Sequence, residues 1–145
     1  MRKAITILCC WVLMLSALAG CTRKSAEAGA GGAPAPGGVT LADMRKAAES
    51  AGYAVTDDYV SFFMKDVKDG FSVQIVADGQ DVIYSVLECA TETAAEQNAR
   101  EIDDAGYSIA LRSGRYLTSY GADNPDGEIK DILAALLRGE AAKSK

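Results

Sequence analysis

The residues of this chain that could do chemistry are acids and one thiol. Asp57-Asp58, Asp103-Asp104 and the run Asp123-Asn124-Pro125-Asp126 offer paired carboxylates for general acid–base work, or oxygen ligands for calcium. Each has a plainer reading. Asp57-Asp58 stand at a helix start, where the dipole favours negative charge. The run at 123–126 is a cap followed by proline and does not match a calcium loop. Asp103-Asp104 read as the solvated face of a last helical turn. The sequence contains no histidine, which excludes Ser-His-Asp and Cys-His catalysis and removes the commonest metal ligand. Cys89 ends a strand and reads as a small buried hydrophobe, and one thiol builds no zinc cluster. Residues 29–38 lack the strand and helix that a phosphate loop requires. The expectation is no catalytic residue, no metal and no cofactor.

The elements that would position such groups can be read from periodicity. Thr40 caps a helix carrying Leu41, Met44, Ala48 and Ala51, with Asp43 completing a capping box and Gly52 as the stop. Thr56-Asp57-Asp58 opens a second helix with Val60, Phe63, Met64 and Val67 inward, ended by Gly70; a strand over 59–64 competes for the same residues. Residues 71–77 and 82–89 alternate as two strands about Asp78-Gly79. Thr93 and Glu96 form a capping box for a helix carrying Ala95, Ala99 and Ile102, closed by Gly106. Residues 107–112 and 115–120 make a second hairpin. Asn124-Pro125 then sets up a last helix striped with Ile129, Ile132, Leu133, Leu136 and Leu137. The order α-α-β-β-α-β-β-α implies a two-layer α+β domain, a four-stranded antiparallel sheet with helices mainly on one face. Ala51-Gly52-Tyr53 and Ala105-Gly106-Tyr107 echo each other, although glycine stopping helices and tyrosine favouring strands explains that equally well.

Alternation then divides the strand residues between faces. With Phe71, Val73, Ile75, Ile109, Leu111 and Leu117 toward the helices, the open face carries Val76, Tyr84, Val86, Arg112, Tyr116, Thr118 and Tyr120. Tyrosine and arginine are enriched at recognition surfaces, so Tyr84, Val86, Arg112, Tyr116 and Tyr120 form the candidate binding face. The competing register places Tyr116 and Tyr120 in the core instead of Leu117.

The N-terminus bears on location. Arg2 and Lys3 precede an apolar run at 4–18, which ends in Leu18-Ala19-Gly20-Cys21. A run of fifteen residues, interrupted only by Thr6 and Ser16, falls short of the ~20 that span a bilayer core, and the pattern is that of a secretory signal. Its end resembles the lipobox of bacterial lipoproteins, and the domain beyond it resembles small modules of such proteins. The resemblance implies cleavage after residue 20 and acylation of Cys21. It also implies lipid anchoring on the extracytoplasmic side of a cell membrane, with the outer membrane open where a cell has two. Residues 21–38 form a lipidated cysteine and a Gly/Ala/Pro linker too poor in large apolar groups to order itself. Its seventeen residues after Cys21 reach roughly 23 Å root-mean-square. Residues 39–145 form one small domain.

Of the chain's 15 basic residues Arg2 and Lys3 go with the signal, leaving 13 against 20 acids, a balance near −7. That argues against nucleic acid, which demands basic patches. Cys89 remains as the only cysteine after residue 21, so no intrachain disulfide among these later residues is expected. The expectation for function is a membrane-anchored lipoprotein of the cell envelope, not an enzyme, whose domain binds an envelope protein or forms a homodimer. A carboxylate-dependent enzyme acting on envelope polymer and a structural spacer are the alternatives.

Overall fold

The computed structural model describes residues 38–61, 63–77, 79–123 and 127–143. The expected signal, Cys21, the expected linker up to residue 37 and the expected Asn124-Pro125 cap lie outside the described residues. The order is α1 (Leu41–Ala51), β1 (Ala54–Thr56), β2 (Val67–Ala77), β3 (Gln80–Cys89), α2 (Glu92–Ala105), β4 (Ser108–Ser113), β5 (Tyr116–Gly121) and α3 (Glu128–Leu137). The class is α+β, as the sequence implies. The sheet has five strands rather than four, in the order β1-β2-β3-β5-β4 with every neighbouring pair antiparallel.

Helix α1 forms for the reasons its sequence gives. The Thr40 hydroxyl accepts the Asp43 N–H at 3.2 Å, and the Asp43 carboxylate accepts the Thr40 N–H at 2.9 Å. Gly52 (φ 91°) and Gly106 (φ 76°) end α1 and α2 in the left-handed conformation. Each then leads through a tyrosine into an edge strand, β1 on one side of the sheet and β4 on the other. The cap of α2 is Thr91, not Thr93: its side chain accepts the Ala94 N–H at 3.0 Å. Gly127 stands at the start of α3.

The second expected helix is absent. Residues 57–61 and 63–66 are neither helix nor strand, and β2 begins at Val67. Aromatic and β-branched side chains gain little from a helix, and the backbone here is engaged by distant groups instead, as described below.

Helices lie on both faces of the sheet, not mainly on one. Register pairs Phe71 with Val86 and Val73 with Tyr84, while Ile109 faces Tyr120 and Leu111 faces Thr118. This face carries the main core, where Phe71, Val73, Ile75, Val86, Tyr116 and Tyr120 meet Met44 and Ala48 of α1 and Ile132, Leu133 and Leu136 of α3. On the other face, Ala94 and Ala95 of α2 pack with Cys89 and Val67. Leu87 and Leu117, paired across β3 and β5 and buried, point to this α2 side.

Candidate functional site

The expected binding face does not exist as one surface. Val86, Tyr116 and Tyr120 are at most 4% exposed and belong to the main core. Tyr84 is half-buried against that core; burial first, and then the Asp123 charge, raise its hydroxyl pKa. Arg112 is exposed on the opposite face, where its Nη1 donates to Glu92 at 3.0 Å and to the Gly114 carbonyl at 2.9 Å. Tyr84 and Val86 of β3 lie on the core face rather than the expected open one, because apolar residues stand at both parities of that strand. On β5 both parities are buried: tyrosines beneath α1 and α3, Leu117 beneath α2.

The acids are also dispersed. Asp57 pairs with Arg45 at the surface. The Asp103 carboxylate accepts the Ala110 N–H of β4 at 2.8 Å. Glu88 and Arg115, both nearly buried, pair at 2.5 Å and join the end of β3 to the β4–β5 turn, while the Arg115 guanidinium lies 5.7 Å from the Tyr116 ring centroid. Among the described residues no group of three or more His, Cys, Asp or Glu comes together to hold a metal ion. Between β3 and β5, beyond the Leu87–Leu117 pair, a hollow of about 210 Å³ opens beside Thr118. Such a volume holds a few waters at ~30 Å³ each.

The most organised feature outside the core is the segment from Asp57 to Asp66. Its start is held by the Arg45–Asp57 pair, and the Val60 N–H donates to Ser85 Oγ at 3.0 Å. Its far end is fixed by Asn98 of α2, whose side chain is almost fully buried. Asn98 Oδ1 accepts the Lys65 N–H at 3.0 Å, and Asn98 Nδ2 donates to the Lys65 carbonyl at 2.9 Å. The Ala90 N–H closes on the Asp66 carbonyl at 2.7 Å. The same Asn98 amide lies 3.5 Å from Cys89 Sγ; burial pushes this thiol's pKa up, partly offset by that hydrogen bond. Tyr59 closes over Gly70, where a Cβ would sit 2.9 Å from both the Tyr59 ring and the Leu87 side chain. The same Cβ would meet the Val86 carbonyl oxygen at 2.9 Å, so a larger residue at 70 would have to displace Tyr59, Leu87 or the β3 backbone.

This clamping turns an apolar side chain outward. Phe63 has φ 66°, rare for an aromatic residue, and is 96% exposed. Beside it lies a hollow of about 320 Å³ walled by Phe63, Met64, Ile102 and Ala105, with Asn98 at one side and Glu101 at its rim. Lys65 Nζ reaches Glu101 at 3.4 Å across that rim. The sequence reading placed Phe63 and Met64 on the inner stripe of a helix and gave Asn98 no role. The run Tyr59-Val60-Ser61-Phe62-Phe63-Met64, apolar except for one serine and bordered by Asp58 and Lys65, is the signal that an exposed loop leaves. The arrangement suits apolar contact with another molecule.

Compared with protein-family models, with curated proteins and with solved structures, the chain matches none, so any functional reading rests on its own residues.

Proposed function

We propose that this chain is a lipid-anchored protein of the cell envelope, held on the extracytoplasmic side by acylated Cys21, whose domain binds a protein partner and catalyses no reaction. The anchoring part is supported by Leu18-Ala19-Gly20-Cys21 after a basic start and a short apolar run. Two or more acyl chains hold a protein stably, where a single one does not.

The binding part rests on one observation: a segment clamped by a buried asparagine holds Phe63 almost fully in solvent. Strained backbone of this kind persists where the surroundings enforce it, and it gathers at functional sites. The acids weighed for catalysis favour the non-catalytic reading, since Asp57 and Asp103 are each engaged in a local contact.

Cys21→Ser should move the protein from the membrane fraction to the soluble one, and mass spectrometry of the mature N-terminus should find an acylated cysteine. An unmodified Cys21 would end the anchoring claim. A photo-crosslinking phenylalanine analogue at position 63 of the full anchored chain should join it to protein on irradiation of intact cells. Adducts to lipid only, or none, would end the binding claim.

A further inference from the structure

We infer that residues 57–61, 63 and 64 act as a lid over the place where β3 and β5 part, held by two feet and a clasp, and that this lid opens while the rest of the domain stays folded. This goes beyond the binding reading above and does not depend on it. The feet are firm. Thr56, at the end of β1, is laddered to Ser72. At the other foot both backbone groups of Lys65 are bonded to the side chain of buried Asn98, and the Asp66 carbonyl accepts the Ala90 N–H at 2.7 Å. Breaking that foot would leave a buried amide without partners, which costs far more than losing a bond in water.

Between the feet the attachment is slight. None of the described residues from 57 to 64 is buried. The Arg45–Asp57 pair lies at the surface, where ion pairs contribute little. Tyr59 rests over Gly70. The clasp is the hydrogen bond from the Val60 N–H to Ser85 Oγ at 3.0 Å. Ser85 Oγ also stands 3.2 Å from Ser72 Oγ, so the serine keeps a partner when the clasp opens. A turn inside the span, from the Met64 N–H to the Ser61 carbonyl at 3.1 Å, lets it move as one piece.

The underside is loosely filled. The β3–β5 ladder ends at the Leu87–Leu117 pair, and the hollow of about 210 Å³ beyond it is roofed by Val60 and Met64. Met64 also lines the hollow of about 320 Å³ against Ile102 and Ala105 of α2. A surface facing open space forgoes the dispersion contacts of a packed interior, so little is lost when it lifts. Few buried apolar contacts and a solvent-exposed backbone mark a segment that opens below the free energy of global unfolding. Opening clears Met64 from both hollows and uncovers Ser85 and Leu87.

Amide hydrogen exchange on the full chain, read residue by residue, tests this. The Val60 and Met64 amides should be protected about tenfold less, or weaker still, than those of Lys65 and Ala90. Their exchange should also ignore low denaturant, because the opening exposes little surface. Ser85→Ala removes the clasp and should speed Val60 exchange about fivefold, the factor for one net hydrogen bond, with Lys65 and Ala90 unchanged. Tyr59→Ala, which takes the ring off Gly70, should act on the same amides in the same direction. Equal protection at Val60, Met64, Lys65 and Ala90 in the wild type, lost together as denaturant rises, overturns the lid whatever the variants do. Unchanged Val60 exchange in both variants overturns it too. So does Lys65 accelerating with Val60 in Ser85→Ala while α3 holds steady, since the foot would then move with the span. Where Ser85→Ala loosens α3 as well, the wild-type contrast and Tyr59→Ala decide.

Discussion

The two faces of the sheet are closed in different ways. Against α1 and α3 the sheet sets Phe71, Ile75, Tyr116 and Tyr120, and the helices answer with Met44, Leu133 and Leu136. Large side chains fill most of that layer, with Ala47 and Ala48 between them and the buried Glu88–Arg115 pair at the Tyr116 end. Against α2 the sheet sets Cys89, Leu87 and Leu117, met by Ala94 and Ala95 and by the buried amide of Asn98. Small residues let α2 lie close to the sheet but cover little of it, and the pinned segment 57–66 closes part of the remainder. A face built from large apolar groups is committed to stability. The face closed by alanines and a clamped loop leaves apolar side chains exposed, and Phe63 is one of them.

The largest effect should come from the first face. Leu133→Ala in α3 should cost ~2–5 kcal/mol, the range for truncating a fully buried leucine, read as a lower denaturant midpoint. A cost below ~0.5 kcal/mol, as at surface positions, would erase the contrast. Next comes Asn98→Ala, which leaves the Lys65 N–H and carbonyl without their partner. A cost of ~1–3 kcal/mol is expected, with amide exchange faster at 57–66 than in α3. Equal exchange in wild type and variant would show that the asparagine does not hold the segment.

The smallest effect sharpens the comparison by pH. Burial keeps the Cys89 thiol protonated above its ordinary range. A group whose folded pKa is raised gives stability that is complete below the unfolded value, ~8.5 for a thiol, and that is lost as pH rises through the folded value. Wild-type stability should therefore decline on the alkaline side of pH ~8.5, and Cys89→Ala should flatten that part of the profile. Tyr84, shifted the same way, acts only beyond the phenol range near ~10. Parallel profiles for wild type and variant would contradict the burial of Cys89.

Much of the fold was legible because local chemistry and tertiary contact agree. Thr40 and Asp43 box α1, the stripe of α3 is buried as its spacing requires, and both hairpins stand where alternation and turn residues put them. The failures share a cause. Val60, Phe63, Met64 and Val67 have helical spacing, but the backbone that would propagate that helix is held by Asn98, 33 residues away. Nothing local announces that bond. The faces of β3 and β5 were misread because both are apolar at odd and even positions, and periodicity cannot choose a face when both are covered. β1 was missed as a strand because three residues are too few for a period. Of the candidate site only the apolar run at 59–64 left a trace in the sequence: the recess and the clamp draw on α2, a separate segment that only the fold brings beside it.

The hydrogen bond from Ala110 to Asp103 bears on the free edge of the sheet. β4 is a sheet edge, and an edge offers amides that template further strands from other molecules. One such amide is already occupied by the Asp103 carboxylate at 2.8 Å, and the opposite edge, β1, is only three residues long. For copies gathered on one membrane, as proposed, this guards against runaway polymerisation edge to edge. Asp103, one of an expected carboxylate pair, thus closes one amide of that edge.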